Sequence, residues 1–280
     1  MVMDKFDKKI AIIGGGHMGQ ALVEGFINSG KIINSQLVIS NPSLEKLGHL
    51  SKMGIEITSD NTVAAKKADI IFLAVKPLTT GQVLREIDYF VKRKTVISLA
   101  AVVSINNLKK HSKNAEIIRI MPNMAVACNQ GIIGLFGSKK NNYQVKQLLS
   151  TLGSVIEMEK EEELDSLTLL SGCGPAIVSQ FIELLANYGI KIGLTTDISQ
   201  TLAFQTFKGS IAILEKSKMS PIQLIQLVST KGGISEAILS ALDSNRFSEI
   251  FSHSMECGRN KINELKVMYN IREEKYGNDG

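Results

Sequence analysis

The sequence predicts an α/β protein, with a doubly wound parallel sheet in its N-terminal part and an all-helical domain after it. Short β-branched, apolar runs alternate with segments of helical periodicity over roughly the first 150 residues. One run, "ADIIFLAVKP" at 68–77, is so uniformly apolar that both faces must be covered, which is typical of parallel sheets. Beyond residue 163 helical periodicity dominates and no convincing strand follows.

The predicted elements form successive βα units. Strands are expected at residues 10–13, 36–39, 55–58, within 68–77, and at 95–101, 115–123 and 131–137. Helices are expected at residues 18–26, 44–54, 62–67, 79–93, 104–111 and 141–152. Strands alternating with helices at this spacing favour a doubly wound sheet.

The acidic run "EKEEELD" at 159–165 marks a change of character, so we predict domains at 1–163 and 164–280. About five helices follow, within 175–194, 197–217, 220–230, 233–242 and 247–265, and the tail 272–280 is expected to be frayed. Several of these helices are apolar on more than one face. A partner subunit is expected to cover them, with packing against the first domain as the alternative.

Composition restricts the classes of function. The 280 residues are 44% hydrophobic and carry a net charge of +5 without a basic arm, which favours a small anionic ligand over nucleic acid. No run reaches the roughly twenty apolar residues of a membrane span, and the N-terminal apolar run is too short for a signal sequence. Three widely spaced cysteines offer neither a disulfide framework nor a CxxC metal site, so a reducing cytoplasm and no metal are expected.

The glycine-rich stretch "GGGHMG" directly follows the first predicted strand and opens a helix. Gly14, Gly16 and Gly19 match the dinucleotide fingerprint G-x-G-x-x-G in its structural context, which predicts a Rossmann domain. Gly14 permits the tight turn, Gly16 lets the backbone approach a pyrophosphate, and Gly19 lets helix and strand pack closely. A plain turn between strand and helix is the alternative.

The end of the second strand predicts the choice of cofactor. Readers of NAD place an acid there for the ribose 2′-hydroxyl, whereas this chain has "SNPS" at 40–43. Ser40, Asn41, Ser43 and Lys46 could hold a 2′-phosphate, so NADPH is favoured and NADH is the alternative. An Asn-Pro turn with a Ser N-cap would use the same residues.

Other motifs lie at predicted strand ends. Lys76 in "AVKP" and Asn123 in "RIMPN" fall at the carboxyl edge of the sheet, where open α/β sheets bind ligands, and "SLAA" at 98–101 brings small residues there. In the helical half, "LSGCGPA" at 170–176 and "STKGGIS" at 229–235 each enter a helix. Their backbone N–H groups and hydroxyls suit a carboxylate, with ordinary helix-entry loops as the alternative.

Taken together, "GGGHMG", the "DN" at 60–61, "AVKP", "RIMPN", "SGCGPA", "GIKIGL" and "STKGGIS" stand in the order and spacing of the pyrroline-5-carboxylate reductases, which this chain resembles over about residues 8–260. The resemblance implies a Rossmann domain, a helical dimerisation domain, and NAD(P)H-dependent reduction of 1-pyrroline-5-carboxylate to L-proline. It also implies an intertwined homodimer, often gathered into decamers.

The resemblance also implies site residues. The residues that would contact the cofactor lie at the sheet edge and are Ile13, Gly14, Gly15, Gly16, His17, Met18, Ser40, Asn61, Ala74, Val75, Lys76, Pro77, Leu99, Ala100 and Ala101. The motifs add Gly19, Asn41 and Asn123 to this set. Substrate would contact Glu161, Lys231, Gly232, Gly233, Ile234 and Ser235. Ser235 and the nearby Thr230 are the candidate catalytic groups.

The chain departs from the family pattern at three motifs. Cys173 replaces a serine of S-G-S-G-P-A, Lys231, Ile234 and Ser235 fall within S-P-G-G-T-T, and A-G-V after the fifth strand is Ala101, Val102, Val103 here. The loss of a hydroxyl at Ile234 affects substrate preference more than reaction type. The alternatives are therefore a related reductase of another cyclic imino acid or a 2-oxo acid, and a non-catalytic nucleotide-binding paralogue.

Overall fold

A computed structural model describes residues 6–137 and 142–276. Within these residues the strands form one sheet, and their bounds are β1 (Ile10–Ile13), β2 (Leu37–Ser40), β3 (Glu56–Thr58), β4 (Ile70–Leu73), β5 (Thr95–Ser98), β6 (Glu116–Pro122), β7 (Gly131–Gly137) and β8 (Gly153–Glu157). The helices are α1 (His17–Asn28), α2 (Gly48–Lys52), α3 (Asn61–Lys67), α4 (Pro77–Ile87), α5 (Ile105–His111), α6 (Asn142–Leu149), α7 (Glu163–Leu167), α8 (Gly174–Lys191), α9 (Thr196–Ser217), α10 (Pro221–Val228), α11 (Ile234–Ser244) and α12 (Phe247–Tyr276).

The strand order in the sheet is β3-β2-β1-β4-β5-β6-β7-β8. All neighbouring strands are parallel except β6 and β7, which are antiparallel. The order reverses between β1 and β4, because β2 and β3 lie on one side of β1 and the later strands on the other. This reversal opens the crevice in which doubly wound sheets bind nucleotides, and it confirms the predicted fold class.

Successive residues of β1 pack into two different cores. Ile10 and Ile12 belong to a buried cluster that includes Phe26 of α1. Ala11 and Ile13 belong to a second cluster, which includes Leu84 of α4. Because side chains alternate across a strand, a run that is buried at every position needs cover on both faces of the sheet.

The edge strand β8 is an addition to the predicted sheet. Gly153 pairs in register with Gly131 of β7, and a Cβ at Gly153 would lie 2.0 Å from the Gly131 carbonyl oxygen. Its φ of +147° is also one that glycine adopts readily. The sequence signal is weak because the strand is short and Ile156 is exposed at the sheet edge.

The chain divides into two compact units, one running to Pro175 and resuming at Lys261, the other comprising Ala176–Asn260. The sequence places its boundary at 163. The difference has a packing reason, since Leu164 and Leu167 of α7 are buried with Met121 of β6. The chain between the two boundaries is therefore packed against the sheet.

The end of α12 packs in the first unit, so the expectation of a frayed tail is wrong for residues 272–276; residues 277–280 lie outside the described part. Tyr269 is buried with α4 and α5. The Nη1 group of Arg85 lies 2.7 Å from Nδ1 of His111, and Nε2 of His111 lies 2.5 Å from Glu273. Because arginine only donates, Nδ1 accepts and Nε2–H donates to the carboxylate.

The second unit is helical and exposes many large apolar side chains. Leu184, Phe204 and Leu227 are all more than half exposed. The continuous helical run Glu163–Lys191 is 29 residues long and, by length and composition alone, apolar enough to cross a membrane, although the sequence analysis expects no such segment. Its most apolar stretch is only 6% buried within the chain, so this surface needs cover from something outside the chain.

Candidate active site

The glycines after β1 form a turn whose geometry requires them. Gly14 has φ of +110°, and a Cβ there would lie 2.5 Å from the carbonyl oxygen of Ala74. A Cβ at Gly19 would lie 1.9 Å from the carbonyl oxygen of Gly14. The close approach of turn, helix and neighbouring strand therefore excludes any side chain at these two positions.

Gly16 differs from both of them. It is the N-cap of α1, with φ of −74°, and a Cβ there would meet no atom within 4 Å. No side chain caps the helix, so the first N–H groups of α1 are available to a ligand. An open approach, free N–H groups and the positive end of the helix dipole fit a dinucleotide pyrophosphate.

Polar side chains join the ends of β2 and α3 beside this turn. The buried hydroxyl of Ser40 donates to Oδ1 of Asn61 at 2.8 Å. Oδ1 of Asn41 accepts from Gly15 N–H at 3.2 Å, and its Nδ2 donates to the carbonyl of Ser43 at 2.9 Å. These contacts include Ser40, Asn41 and Ser43, three of the four residues that the sequence assigns to the 2′-phosphate, and none of them includes Lys46.

The start of α3 is fixed by an acidic cap. Oδ1 of Asp60 accepts from the hydroxyl of Thr62 at 2.7 Å, from its N–H at 2.7 Å and from the N–H of Val63 at 3.3 Å. The side-chain hydrogen bond from Thr62, followed by the two backbone ones, lowers the pKa of Asp60. The ionised cap therefore holds the turn that carries Asn61.

The ends of β4 and β5 continue the same edge. Ala74 N–H donates to the Ile13 carbonyl at 2.8 Å, and Leu99 N–H donates to the Leu73 carbonyl at 3.1 Å. Lys76 is the N-cap of α4, followed by Pro77 in the first turn. The predicted cofactor residues from Ile13 to Ala101 therefore lie along adjacent strand ends.

Asn123, at the end of β6, uses both ends of its amide within the chain. Its Nδ2 donates to the hydroxyl of Ser171 at 3.1 Å, and its Oδ1 accepts from Ile132 N–H at 3.3 Å. The residue thereby joins the sheet to the "LSGCGPA" segment. Its assignment to the cofactor stays a prediction.

The buried Arg119 and the partly buried Glu161 form an ion pair that sequence reasoning missed as a unit. Nη1 of Arg119 donates to Oε1 of Glu161 at 2.8 Å, and Nη2 donates to the Ala100 carbonyl at 3.2 Å. The same Oε1 accepts from Ile105 N–H at 2.7 Å. Two features of the sequence could have indicated the pair: an arginine within an apolar strand, and Val102 at a glycine position of the family. In the structure Val102 has φ of +62°.

The loop before α11 lies in the second compact unit. Gly233 is the N-cap without a side-chain cap, and its N–H donates to the Thr230 carbonyl at 2.9 Å. Gly232, with φ of +76°, donates its N–H to Glu236 at 2.6 Å. The first turn of α11 leaves the N–H groups of Ile234 and Ser235 without intrahelical partners, which suits a carboxylate.

The uncapped starts of α1 and α11 each present backbone N–H groups that suit phosphates or carboxylates. Among the described residues no cluster of His, Cys, Asp or Glu could hold a metal ion. The three cysteines are exposed free thiols, and His17 is exposed at the start of α1. Such an arrangement can bind and orient reactants, the task that a dehydrogenase or reductase leaves to its protein part.

Comparison with known proteins identifies the family. Pyrroline-5-carboxylate reductase 3 of Danio rerio is 33% identical over 267 residues, which cover 94% of this chain and 93% of that protein. Pyrroline-5-carboxylate reductase 2 of Bacillus subtilis is 30% identical, with coverages of 94% and 96%. The chain belongs to the pyrroline-5-carboxylate reductase family.

Domain models and a solved structure agree with this membership. Residues 161–265 match the model for pyrroline-5-carboxylate reductase dimerisation, and residues 9–102 match a model described as NADP oxidoreductase, coenzyme F420-dependent. The Plasmodium falciparum pyrroline carboxylate reductase, solved with NADP bound, superposes with a TM-score of 0.85 at 30% identity, covering 93% of this chain and 98% of that one. The whole apolar run Glu163–Lys191 thus lies within the match to a dimerisation domain, which accounts for its exposed face.

Proposed function

We propose that this chain catalyses the NADPH-dependent reduction of 1-pyrroline-5-carboxylate to L-proline, the last step of proline biosynthesis. The observation that carries the proposal is the open, uncapped start of α1 at Gly16 in a chain that matches reductases of this name over nearly its whole length. The NADP-bound Plasmodium relative supports the choice of cofactor.

The chain's own residues divide the work of binding. The N–H groups that open α1 would hold the pyrophosphate, while Ser40, Asn41 and Asn61 would surround the 2′-phosphate. Nδ2 of Asn61 donates to the Glu86 carboxylate at 2.9 Å, so this acid lies behind the asparagine. When bound, NADPH supplies the hydride that the imine carbon accepts. The remaining cofactor positions, Ala74–Pro77 and Leu99–Ala101, would line the nicotinamide end of the same edge.

The loop Lys231–Ser235 would hold the substrate carboxylate. The free N–H groups of Ile234 and Ser235 and the charge of Lys231 suit this anion. The imine nitrogen would enter already protonated, or would take its proton through the Ser235 hydroxyl or water. Orientation of the two reactants is the main contribution, up to about 7–11 kcal/mol in the best cases.

We further propose a cytoplasmic homodimer in which this loop reaches the partner's cofactor site. The match to a dimerisation model and the exposed apolar side chains of the second unit support the oligomer. Nucleic acid is not expected as a partner, since the charge is scattered. A membrane is not expected either, since the apolar run Glu163–Lys191 lies within the match to a dimerisation domain. The mass measured by light scattering distinguishes a dimer from a decamer.

One observation favours a second candidate, a reductase of another cyclic imino acid or of a 2-oxo acid. Ile234 is 83% exposed at the start of α11 and replaces a threonine of the family pattern. NADPH oxidation measured with 1-pyrroline-5-carboxylate, with six-membered cyclic imines and with 2-oxo acids decides between them. Turnover of none of these substrates despite tight NADPH binding would refute a reductase and favour a nucleotide-binding paralogue.

The Ser235→Ala variant tests the substrate loop. We expect it to raise KM for the imine and to lower kcat, because the hydroxyl would contact the substrate. Ser244→Ala is the matched control, since that hydroxyl lies at the other end of α11 and donates to the Ser240 carbonyl at 2.8 Å. Unchanged kinetics for Ser235→Ala would remove this residue from the site.

A further inference from the structure

The turn between β5 and α5 contains a residue in an unfavourable conformation. Val102 has φ of +62°, a region that L residues with branched side chains rarely occupy. The resemblance places a glycine at this position, which adopts such a φ without steric cost. In this chain the turn must therefore be held in place by its surroundings.

The Arg119–Glu161 pair contacts the turn on both sides of Val102. Nη2 of Arg119 donates to the Ala100 carbonyl, two residues before Val102. Oε1 of Glu161 accepts from Ile105 N–H, three residues after it. The salt bridge of 2.8 Å joins these two anchors, and we name the pair the Arg119–Glu161 clamp.

The arginine of the clamp lies on a buried strand of the sheet. Arg119 is 3% exposed on β6 and lies in register with Ser98, the last residue of β5. Its Nε has no hydrogen-bond partner among the described residues. A largely buried ion pair with an unsatisfied donor contributes little to stability by itself, whereas its two hydrogen bonds to Ala100 and Ile105 hold the turn at both ends.

We propose that Arg119 and Glu161 are positioning residues that hold the Ala100–Val102 backbone against the nicotinamide end of the cofactor. The inference rests on the proposed function, in which Leu99–Ala101 line that end. It assigns Glu161 an action through the turn, since its Oε1 accepts from both Arg119 and Ile105. Val102 makes the turn depend on the clamp.

The test compares Glu161→Gln, Val102→Gly and the double variant with the unsubstituted enzyme. Glutamine keeps an oxygen for Ile105 but loses the charge that holds Arg119. We expect kcat to fall about tenfold, because small misplacements of reactants are costly, while KM for the imine changes less than about twofold. Val102→Gly in the Glu161→Gln background should restore kcat to within about threefold, since a glycine turn needs no clamp.

A second measurement does not depend on turnover. The fluorescence of bound NADPH reports the surroundings of the nicotinamide ring, and we expect Glu161→Gln to shift it and the double variant to restore it. Asp165→Asn is the matched control, because it removes an acid of α7 whose partner is Lys266 and leaves the clamp intact. It should change neither readout.

The outcomes separate the possibilities. A lower melting temperature with unchanged kcat and unchanged NADPH fluorescence would make the clamp merely structural. A raised KM for the imine at unchanged kcat would place Glu161 on the substrate. Either result refutes the proposal, and so does failure of Val102→Gly to restore both readouts. If Glu161→Gln does not fold, Arg119→Lys is judged by the same criteria. If the unsubstituted enzyme does not reduce 1-pyrroline-5-carboxylate, the proposed function fails, and the fluorescence series still decides on the clamp.

Discussion

Replacing Gly16 by alanine separates cofactor binding from folding. The position has φ of −74° and ψ of −175°, which alanine adopts easily, and a Cβ meets no atom within 4 Å. The substitution should change the free energy of unfolding little, because the gain of about 0.4–1 kcal/mol from restricting the unfolded chain is opposed by the poorer fit of alanine to the N-cap position. In the complex the methyl group would occupy the space through which the backbone approaches the pyrophosphate.

The expected loss of affinity follows from the hydrogen bonds at the start of α1. Keeping the pyrophosphate away from two N–H groups removes two charge-assisted hydrogen bonds of about 1.5 kcal/mol each. The dissociation constant for NADPH should then rise roughly 100-fold. The melting temperature measured without cofactor should stay the same or rise slightly.

Fluorescence titration with NADPH and thermal unfolding measure the two effects in the same preparation. Gly25→Ala is the matched control on α1, since a Cβ there would lie 2.2 Å from the Val126 carbonyl oxygen. It should cost about 1–3 kcal/mol of stability through overpacking, with normal NADPH affinity in the folded fraction. Wild-type affinity in Gly16→Ala would refute the placement of the pyrophosphate at this helix.

Three further substitutions probe other parts of the chain. Burial, and next the charge of Glu273, raises the pKa of the Tyr269 phenol above its ordinary value, so the folded chain keeps this proton when the unfolded chain loses it. Stability should therefore fall by up to about 1.4 kcal/mol per pH unit above about pH 10, and urea unfolding of Tyr269→Phe should lack this contribution. Asn41→Asp keeps an oxygen for Gly15 N–H but places a charge near the 2′-phosphate; titration should show NADPH affinity reduced at least about tenfold and NADH affinity nearly unchanged. Phe204→Glu, at a position 60% exposed in the single chain, should shift the dimer towards monomer in light scattering, and an unchanged mass would exclude this side chain from the interface.

The sheet and its glycine turn could be predicted because their causes are local. Ile10–Ile13 is apolar at every position, and the period of the following residues is helical. The steric demand at Gly19 arises from Gly14 in the same strand–turn–helix unit, and only the demand at Gly14 comes from a distant residue, Ala74 at the end of the neighbouring strand. A pattern read over about twenty residues therefore contains most of the information that these features need.

The features that the sequence did not reveal depend on residues far apart in the chain. In the last turns of α12, Glu273 accepts a hydrogen bond from Nε2–H of His111, which lies 162 residues earlier in the chain. β8 pairs with β7 where Gly153 lies too close to Gly131 for any side chain, although β8 is short and partly exposed. The local periodicity of the sequence cannot predict either contact.

The Arg119–Glu161 clamp combines both kinds of feature. Its two members are 42 residues apart, and neither the spacing nor the residue types identify them as partners. The local sign is at Val102, where a branched residue stands at a glycine position of the family. A valine with a left-handed backbone conformation persists only where other contacts hold it. A valine at a family glycine position therefore indicates that residues from another part of the chain hold that turn. In this chain the Arg119–Glu161 clamp holds it, so the same contacts that permit the valine would also set the position of the cofactor.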